Sequence, residues 1–370
     1  MLRDELAGEI AWARCHPHAY ARPCEAIVLG AGNGGRQFLR HHGSTQGVRF
    51  LGFVDDDPTK AGSRLEGLEV WPTQRLRGFA GTVVVAVAAW EQAERRLREL
   101  RVERWIYSHD FTTHLAPLPD REPQMGQDHF DVEMLLGAWD QIEWLDSVLA
   151  DKLSRETLRA ILRYRLTRRV SCVRPATYRE YRHPLVRAEV GNEVIDAGAF
   201  DGDTAALFLE TMGGDGTVHA FEPSGENLRR LRDRVAREGW QERVVAIEAG
   251  VGATDGEAGF MEDAASPVGS RVAVAATMRV KIRALDSYCA ERRIAPGMIK
   301  MDVEGCERAA LRGAERVLRQ FGPKLQICLY HRAADLWEIP AWLKDVRPGY
   351  RFYLGHHTAV HWSDVVLYAR

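Results

Sequence analysis

Val194-Ile195-Asp196-Ala197-Gly198-Ala199-Phe200-Asp201-Gly202-Asp203-Thr204 runs two β-branched residues and an acid into a glycine-broken turn, and a helical pattern starts at Thr204. Glycine lets backbone approach a bound molecule without a Cβ clash. A turn between a parallel strand and a helix N-terminus lies where α/β sheets bind their ligands. The next apolar run, 217–222, closes on Glu222. An acid about 20 residues after such a turn is placed to accept hydrogen bonds from both hydroxyls of a ribose. Asp196, Gly198, Ala199, Phe200, Gly202, Thr204 and Glu222 are therefore candidate cofactor contacts, with Asn227 in the first turn of the following helix. Asp203 and Thr204 are expected to cap the helix that follows the turn, whose free N–H groups suit a carboxylate.

Outward from that turn, strands and helices alternate to the end of the chain. Strands are expected at 193–197, 217–222, 244–249, 298–302, 325–329, 351–354 and 364–368, the last two as an antiparallel hairpin. Helices are expected at 204–211, 227–238, 307–321 and 340–346, with an excursion between 257 and 282. Seven strands in this alternation suit a Rossmann-like methyltransferase sheet. Upstream, 26–29, 48–54, 82–87 and 104–107 read as strands, with a helix at 91–100, forming a smaller Rossmann-like half-domain. The proline-rich segment 116–123 reads as a linker. Apolar residues at Leu135, Leu136, Trp139, Ile142 and Leu145 mark helices from 130 to 170, with Ser154 as an expected N-cap. The expected organisation is an α/β N-terminal domain at 1–118, a linker and helical connector at 119–187, and an α/β methyltransferase-type domain at 188–370.

Composition narrows the function. A hydrophobic content of 45% and a charged content of 28% are ordinary for a globular chain. A formal net charge of −2 speaks against a nucleic-acid binder that works by bulk electrostatics. No apolar run reaches the roughly 18 residues of a membrane span, and the charged start lacks a signal-peptide core. The six cysteines, at 15, 24, 172, 289, 306 and 328, include no C-x-x-C pair and suit a cytoplasmic protein with reduced thiols. Cys15, His16, His18 and Cys24 match no usual zinc spacing. The expectation is a cytoplasmic protein without a membrane span, acting on a small-molecule or glycan acceptor rather than nucleic acid, as a monomer or an oligomer.

A second motif, Met298-Ile299-Lys300-Met301-Asp302-Val303-Glu304-Gly305-Cys306-Glu307, ends an apolar strand in charged residues and a glycine. By strand alternation Lys300, Asp302 and Glu304 share one face. Asp302, His331, Glu304 and Lys300 are the candidate catalytic residues; His331 closes the fifth strand, and a histidine at the mouth of a parallel sheet suits a general base. Asp302, His331 and His356 offer metal-ligating chemistry, but spacing does not show whether they converge, and no metal ligand is assigned. The nucleoside-site spacing suits S-adenosylmethionine, and hence methyl transfer.

The C-terminal motifs closely resemble the FkbM family of S-adenosylmethionine-dependent methyltransferases. The resemblance is carried by 194–204, Phe221-Glu222-Pro223 with Asn227, and 299–307. Leu311-Arg312-Gly313-Ala314, Tyr330-His331 with Asp335-Leu336, Gly349-Tyr350 and Val366-Leu367-Tyr368-Ala369 continue it. It spans roughly 188–370 and implies a class I methyltransferase acting on hydroxyl groups of sugars, glycans or polyketide-type products. It also implies cofactor contacts at Asp196, Gly198, Gly202 and Glu222. At the N-terminus, Gly30, Gly32 and Gly35 with Asp55 fit a dinucleotide fingerprint in spacing. They are candidates for holding a nucleotide or nucleotide-linked sugar, or else for scaffolding. The alternative function is a nucleotide- or NAD-dependent sugar-modifying enzyme, or a sugar-nucleotide-binding protein with an inactive methyltransferase domain.

Overall fold

The computed structural model describes residues 2–15, 24–111, 126–261, 271–272, 278–359 and 361–370. The expected linker at 116–123, His16 and His18, and part of the 257–282 excursion lie outside the described residues. The chain divides into two compact units. The first comprises Met1–Gly137, Ala160–Val173 and Ala359–Trp362, and the second Ala138–Arg159, Arg174–Thr358 and Ser363–Arg370.

The first unit contains a six-stranded sheet in the order Arg64–Leu65, Leu68–Pro72, Val48–Asp55, Cys24–Leu29, Thr82–Val85, Trp105–Tyr107. All its pairings are parallel except the short antiparallel ribbon Arg64–Leu65 with Leu68–Pro72, which sequence periodicity did not reveal. Two residues are too few to show alternation. Val28, Phe53 and Val84 from the central strands and Ile106 from the edge strand pack with Phe38 and Phe111 into one buried cluster.

The second unit is built on a seven-stranded sheet. Its spatial order is Phe352–His356, Val365–Ala369, Lys324–Cys328, Pro296–Met301, Glu193–Ala197, Thr217–Phe221, Val244–Ile247. The hairpin of the last two strands is antiparallel, as expected from sequence, and so is the pairing of Val365–Ala369 with Lys324–Cys328; the remaining pairs are parallel. Because Glu193–Ala197 pairs with Thr217–Phe221 on one side and Pro296–Met301 on the other, the chain reverses its direction of winding there. Open α/β sheets place their ligand crevice outside the carboxyl ends of the strands at such a point. The helix Asp203–Met212 buries Ala205, Phe208, Leu209 and Met212 on one stripe against this sheet. Each such large side chain contributes roughly 1.5–3 kcal/mol by leaving water.

Several local expectations shift. The 307–321 helix is two helices, Glu307–Arg312 and Glu315–Phe321, broken at Gly313. A Cβ on Gly313 would lie 2.0 Å from the Gly252 carbonyl oxygen, so neighbouring backbone occupies the space a side chain needs. The helix expected from Pro340 begins at Asp335. Burial of Leu336, Trp337, Ile339 and Leu343 offsets the hydrogen bond its internal proline lacks. Ser154 is no cap: its helix starts at Lys152, Asp151 Oδ1 accepts from Ser154 N, and Ser154 Oγ accepts from Leu354 N. A small side sheet orders Gly250–Val251, Met278–Arg283, Gly256–Met261 and Arg271–Val272, and a helix at Leu285–Arg292 follows it.

Candidate functional site

The glycine turn is shaped by what it touches. Gly198 has φ +77°, and a Cβ there would fall 1.8 Å from the Asp302 carbonyl oxygen. The two central strand ends therefore meet backbone to backbone, which no other residue type permits. Gly198 N and Ala199 N both donate to Phe221 O. Phe200 (φ +48°) also lies in the left-handed region, a costly backbone state for a non-glycine residue that collects at functional sites. Gly202, at φ +87°, occupies the N-cap of Asp203–Met212 and supplies no side-chain bond. Asp203 and Thr204 thus sit inside the first turn rather than capping it, and Thr204 Oγ1 donates to Asp196 Oδ2 at 2.6 Å. Asp203 Oδ1 accepts from Thr204 N at 2.7 Å, so it serves one N–H of that turn; a helix N-terminus suits an anionic group.

Glu222 is buried, with Oε2 accepting from Phe200 N and Oε1 from Ser224 N, each at 2.9 Å. The Asn227 side chain adds a third donor, and the Ser224 hydroxyl accepts from Asn227 N at the start of helix Gly225–Glu238. Burial pushes the Glu222 pKa up to about 7, against the lowering effect of these bonds. No cationic side chain pairs with it among the described residues. Of the roughly four acceptor sites of a carboxylate, these three donors leave one open.

Lys300 and Asp196 face one another because their strands pair in register. Lys300 Nζ lies 3.3 Å from Asp196 Oδ1 and donates to Gly198 O at 2.6 Å. Burial works against the ammonium, but Asp196 and Asp302 outweigh it and hold the lysine above its ordinary pKa. It is a fixed charge that braces the glycine turn.

Asp302 follows the same strand. Tyr181 Oη donates to its Oδ2 and Tyr330 Oη to its Oδ1, each at 3.1 Å. Burial pushes the Asp302 pKa up, but Lys300, His331 and the two tyrosines overcome that and leave it below the usual carboxylate range. The strand ends at Met301, so alternation does not carry Glu304 to Asp302's side; a turn with Glu304 at φ +53° and Gly305 at φ +90° does so. His331 Nε2 lies 3.4 Å from Asp302 Oδ1 and 3.6 Å from Glu304 Oε2, and its Nδ1 lies 2.7 Å from Glu307 Oε1. Burial would neutralise this ring, but Glu307 first, then Asp302 and Glu304, raise its pKa to about 10. At neutral pH it carries its proton, which suits a charge-holding group rather than the general base expected from sequence. His356 does not join Asp302 and His331.

Residues 196–352 match the model of the methyltransferase FkbM domain. The C-terminal unit carries an FkbM methyltransferase domain. The chain is a methyltransferase. It is similar in structure to methyltransferase FkbM from Methylobacillus flagellatus KT, at 21% identity and a TM-score of 0.71, over 100% of this chain and 99% of that one. That likeness extends the shared fold to both units. Fibrillarin from Aeropyrum pernix, solved with natively bound S-adenosyl-L-methionine, aligns with 49% of this chain and 67% of its own, at 13% identity and a TM-score of 0.33. UDP-D-quinovosamine 4-dehydrogenase from Vibrio fischeri aligns with 23% of this chain and 75% of its own, at 20% identity and a TM-score of 0.20. Neither overlap is large enough in shape to bear on this chain. No curated protein matches it.

Two side chains at this site are given no role there by the sequence motifs. Tyr181 comes from an irregular stretch with no periodic signal, and its backbone is left-handed (φ +57°). Glu307 reads from sequence as a helix-capping acid. It does accept from Val303 N at 2.9 Å, but it also backs His331. Outside the FkbM domain, Asp55 accepts from Ala31 N, Asp57 N and Lys60 Nζ, at 2.8, 3.0 and 2.9 Å. Gly35 packs so tightly that a Cβ would lie 2.0 Å from Gly30 O, whereas Gly32 has nothing within 4 Å of that position. Among the described residues no helix is long and apolar enough to cross a membrane.

Proposed function

We propose that this chain is an S-adenosylmethionine-dependent O-methyltransferase acting on a hydroxyl of a sugar, glycan or polyketide-type product. The observation that carries this reading is Glu222: a buried carboxylate at the carboxyl end of the strand beside the glycine turn, bonded to that turn and without an ion-pair partner among the described residues. A ribose diol supplies one O–H donor to its open acceptor site and a second in place of the Asn227 amide, and the N-terminus of Asp203–Met212 suits the carboxylate of the methionine part. When bound, S-adenosylmethionine supplies a methyl group on a positively charged sulfur.

The residues of the chain do the rest. Lys300 and Asp196 keep the turn in shape. Asp302, fixed by two tyrosine hydroxyls and about a quarter exposed, orients the acceptor hydroxyl and takes its proton as the new C–O bond forms. His331, charged beside it, holds Asp302 ionised. Positioning of this kind is worth more than the base strength of an acid with a lowered pKa.

Calorimetry with S-adenosylmethionine and detection of S-adenosylhomocysteine from a panel of hydroxylated acceptors test the reading. Asp302→Asn should cut kcat by about 10² or more while cofactor affinity stays within about twofold. Full turnover in that variant would remove Asp302 from the chemistry.

A further inference from the structure

Around His331 the chain gathers three carboxylates, Asp302, Glu304 and Glu307. Asp302, Glu304 and His331 each present a ligand atom within 4.8 Å of the other two. The imidazole is buried, its side chain 1% exposed, yet Nε2 makes no hydrogen bond and lies between the two carboxylates at 3.4 and 3.6 Å. These separations match the edges of a coordination sphere, because donors about 2.1–2.2 Å from one ion lie roughly 3.0–3.6 Å apart at octahedral to tetrahedral angles. Asp302 and Glu304 are partly exposed, at 26% and 20%, so an ion has a way in and positions remain for water or substrate oxygen.

The outer groups fit as well. Metal-bound histidines almost always give their other ring nitrogen to a carboxylate or carbonyl, and ligating carboxylates are themselves hydrogen-bonded. Here Glu307 stands 2.7 Å behind His331 Nδ1, while Tyr181 and Tyr330 each donate to Asp302. The left-handed backbone at Glu304 is the device that turns its carboxylate toward the pair.

We propose that Asp302, Glu304 and His331 Nε2 form a binding site for one divalent transition-metal cation of the Mn²⁺ type, for which two carboxylates supply the hard ligands and one imidazole the nitrogen. The binding site stands on this geometry alone, and the ion takes the place of the Nε2 proton of the metal-free chain, so uptake releases a proton. Its use, polarising an acceptor hydroxyl at the open positions, rests on the methyl-transfer reading above.

Titrating the purified full chain with MnCl₂, by calorimetry and by loss of the free Mn²⁺ resonance, tests the site without cofactor or acceptor. The expected result is one ion per chain. Asp302→Asn and Glu304→Gln should each weaken binding about tenfold or more, and Tyr330→Phe, which removes a supporting bond, should weaken it by a similar factor. Matching thermal melts of the metal-free variants would show that they are folded. No uptake at millimolar Mn²⁺, or uptake unchanged in both carboxylate variants, would overturn the site. Cofactor binding, measured separately in chelator, reports on the methyl-transfer reading, so the two ideas fail independently.

Discussion

The molecule contains the same local device twice, and the two copies differ in one donor. In each unit an apolar strand enters a glycine turn and the neighbouring strand ends in an acid. In each, that acid accepts from a backbone N–H of the turn and from the N–H two residues beyond itself: Ala31 and Asp57 for Asp55, Phe200 and Ser224 for Glu222. The third donor is the Lys60 ammonium on Asp55 but the Asn227 amide on Glu222. Asp55 is held below its ordinary pKa because its backbone and Lys60 bonds outweigh burial, whereas Glu222 is pushed up to about 7 because burial wins. One acid is neutralised by the protein; the other keeps an open acceptor site and no ammonium partner among the described residues. An acid at a strand end is thus no evidence of a ligand until its third partner is known.

Removing the lysine beside each turn breaks this comparison most forcefully. Lys300→Met would strand the buried Asp196 and should cost about 3–5 kcal/mol by denaturant melt. Lys60→Met, at a partly exposed pair, should cost less than about 1 kcal/mol. Equal losses would mean that the two turns are braced alike.

Next in size is truncation of the acids. Glu222→Ala should weaken S-adenosylmethionine binding by roughly tenfold to 150-fold, the worth of hydrogen bonds to a charged group. Asp55→Ala should leave that affinity unchanged. Calorimetry showing the reverse would transfer the cofactor to the N-terminal turn.

The smallest effect is on pH. A carboxylate whose folded pKa is raised stabilises the cofactor-free fold below its unfolded value of 4.5, and that contribution is lost as pH rises through about 7. Hydroxyl donors favour the ionised form, so cofactor affinity should grow as pH rises through 7, by about tenfold from pH 6 to 8. Glu222→Gln should flatten this profile; an unchanged slope would assign it to another group.

Much of this was legible in advance because it is local. The glycines of 198–202, the acid at 222 and the charged run at 300–304 each lie at or just past a strand end, where period-two runs and turn residues are readable. All seven strands of the C-terminal sheet were anticipated to within a few residues, including the final hairpin. The differences are equally physical. Alternation puts Glu304 on Asp302's face, but the strand ends at Met301 and a left-handed turn does the work instead. His331 reads as a base because isolated imidazole titrates near neutrality, whereas its three carboxylate neighbours come from elsewhere in the chain. Tyr181 had no motif to announce it.

Read alone, the chain specifies two α/β sheets, the order of their strands along the sequence and the residue types at each strand end, since these follow from hydrophobic period and backbone freedom. Folding alone pairs Lys300 with Asp196, sets Gly198 against the Asp302 carbonyl and closes Asp302, Glu304 and Glu307 around His331. Those contacts join positions up to 104 residues apart along the chain for the first two pairs. Their electrostatics depend on which charges share a dry space, a property of sheet order and burial that no spacing along the chain encodes.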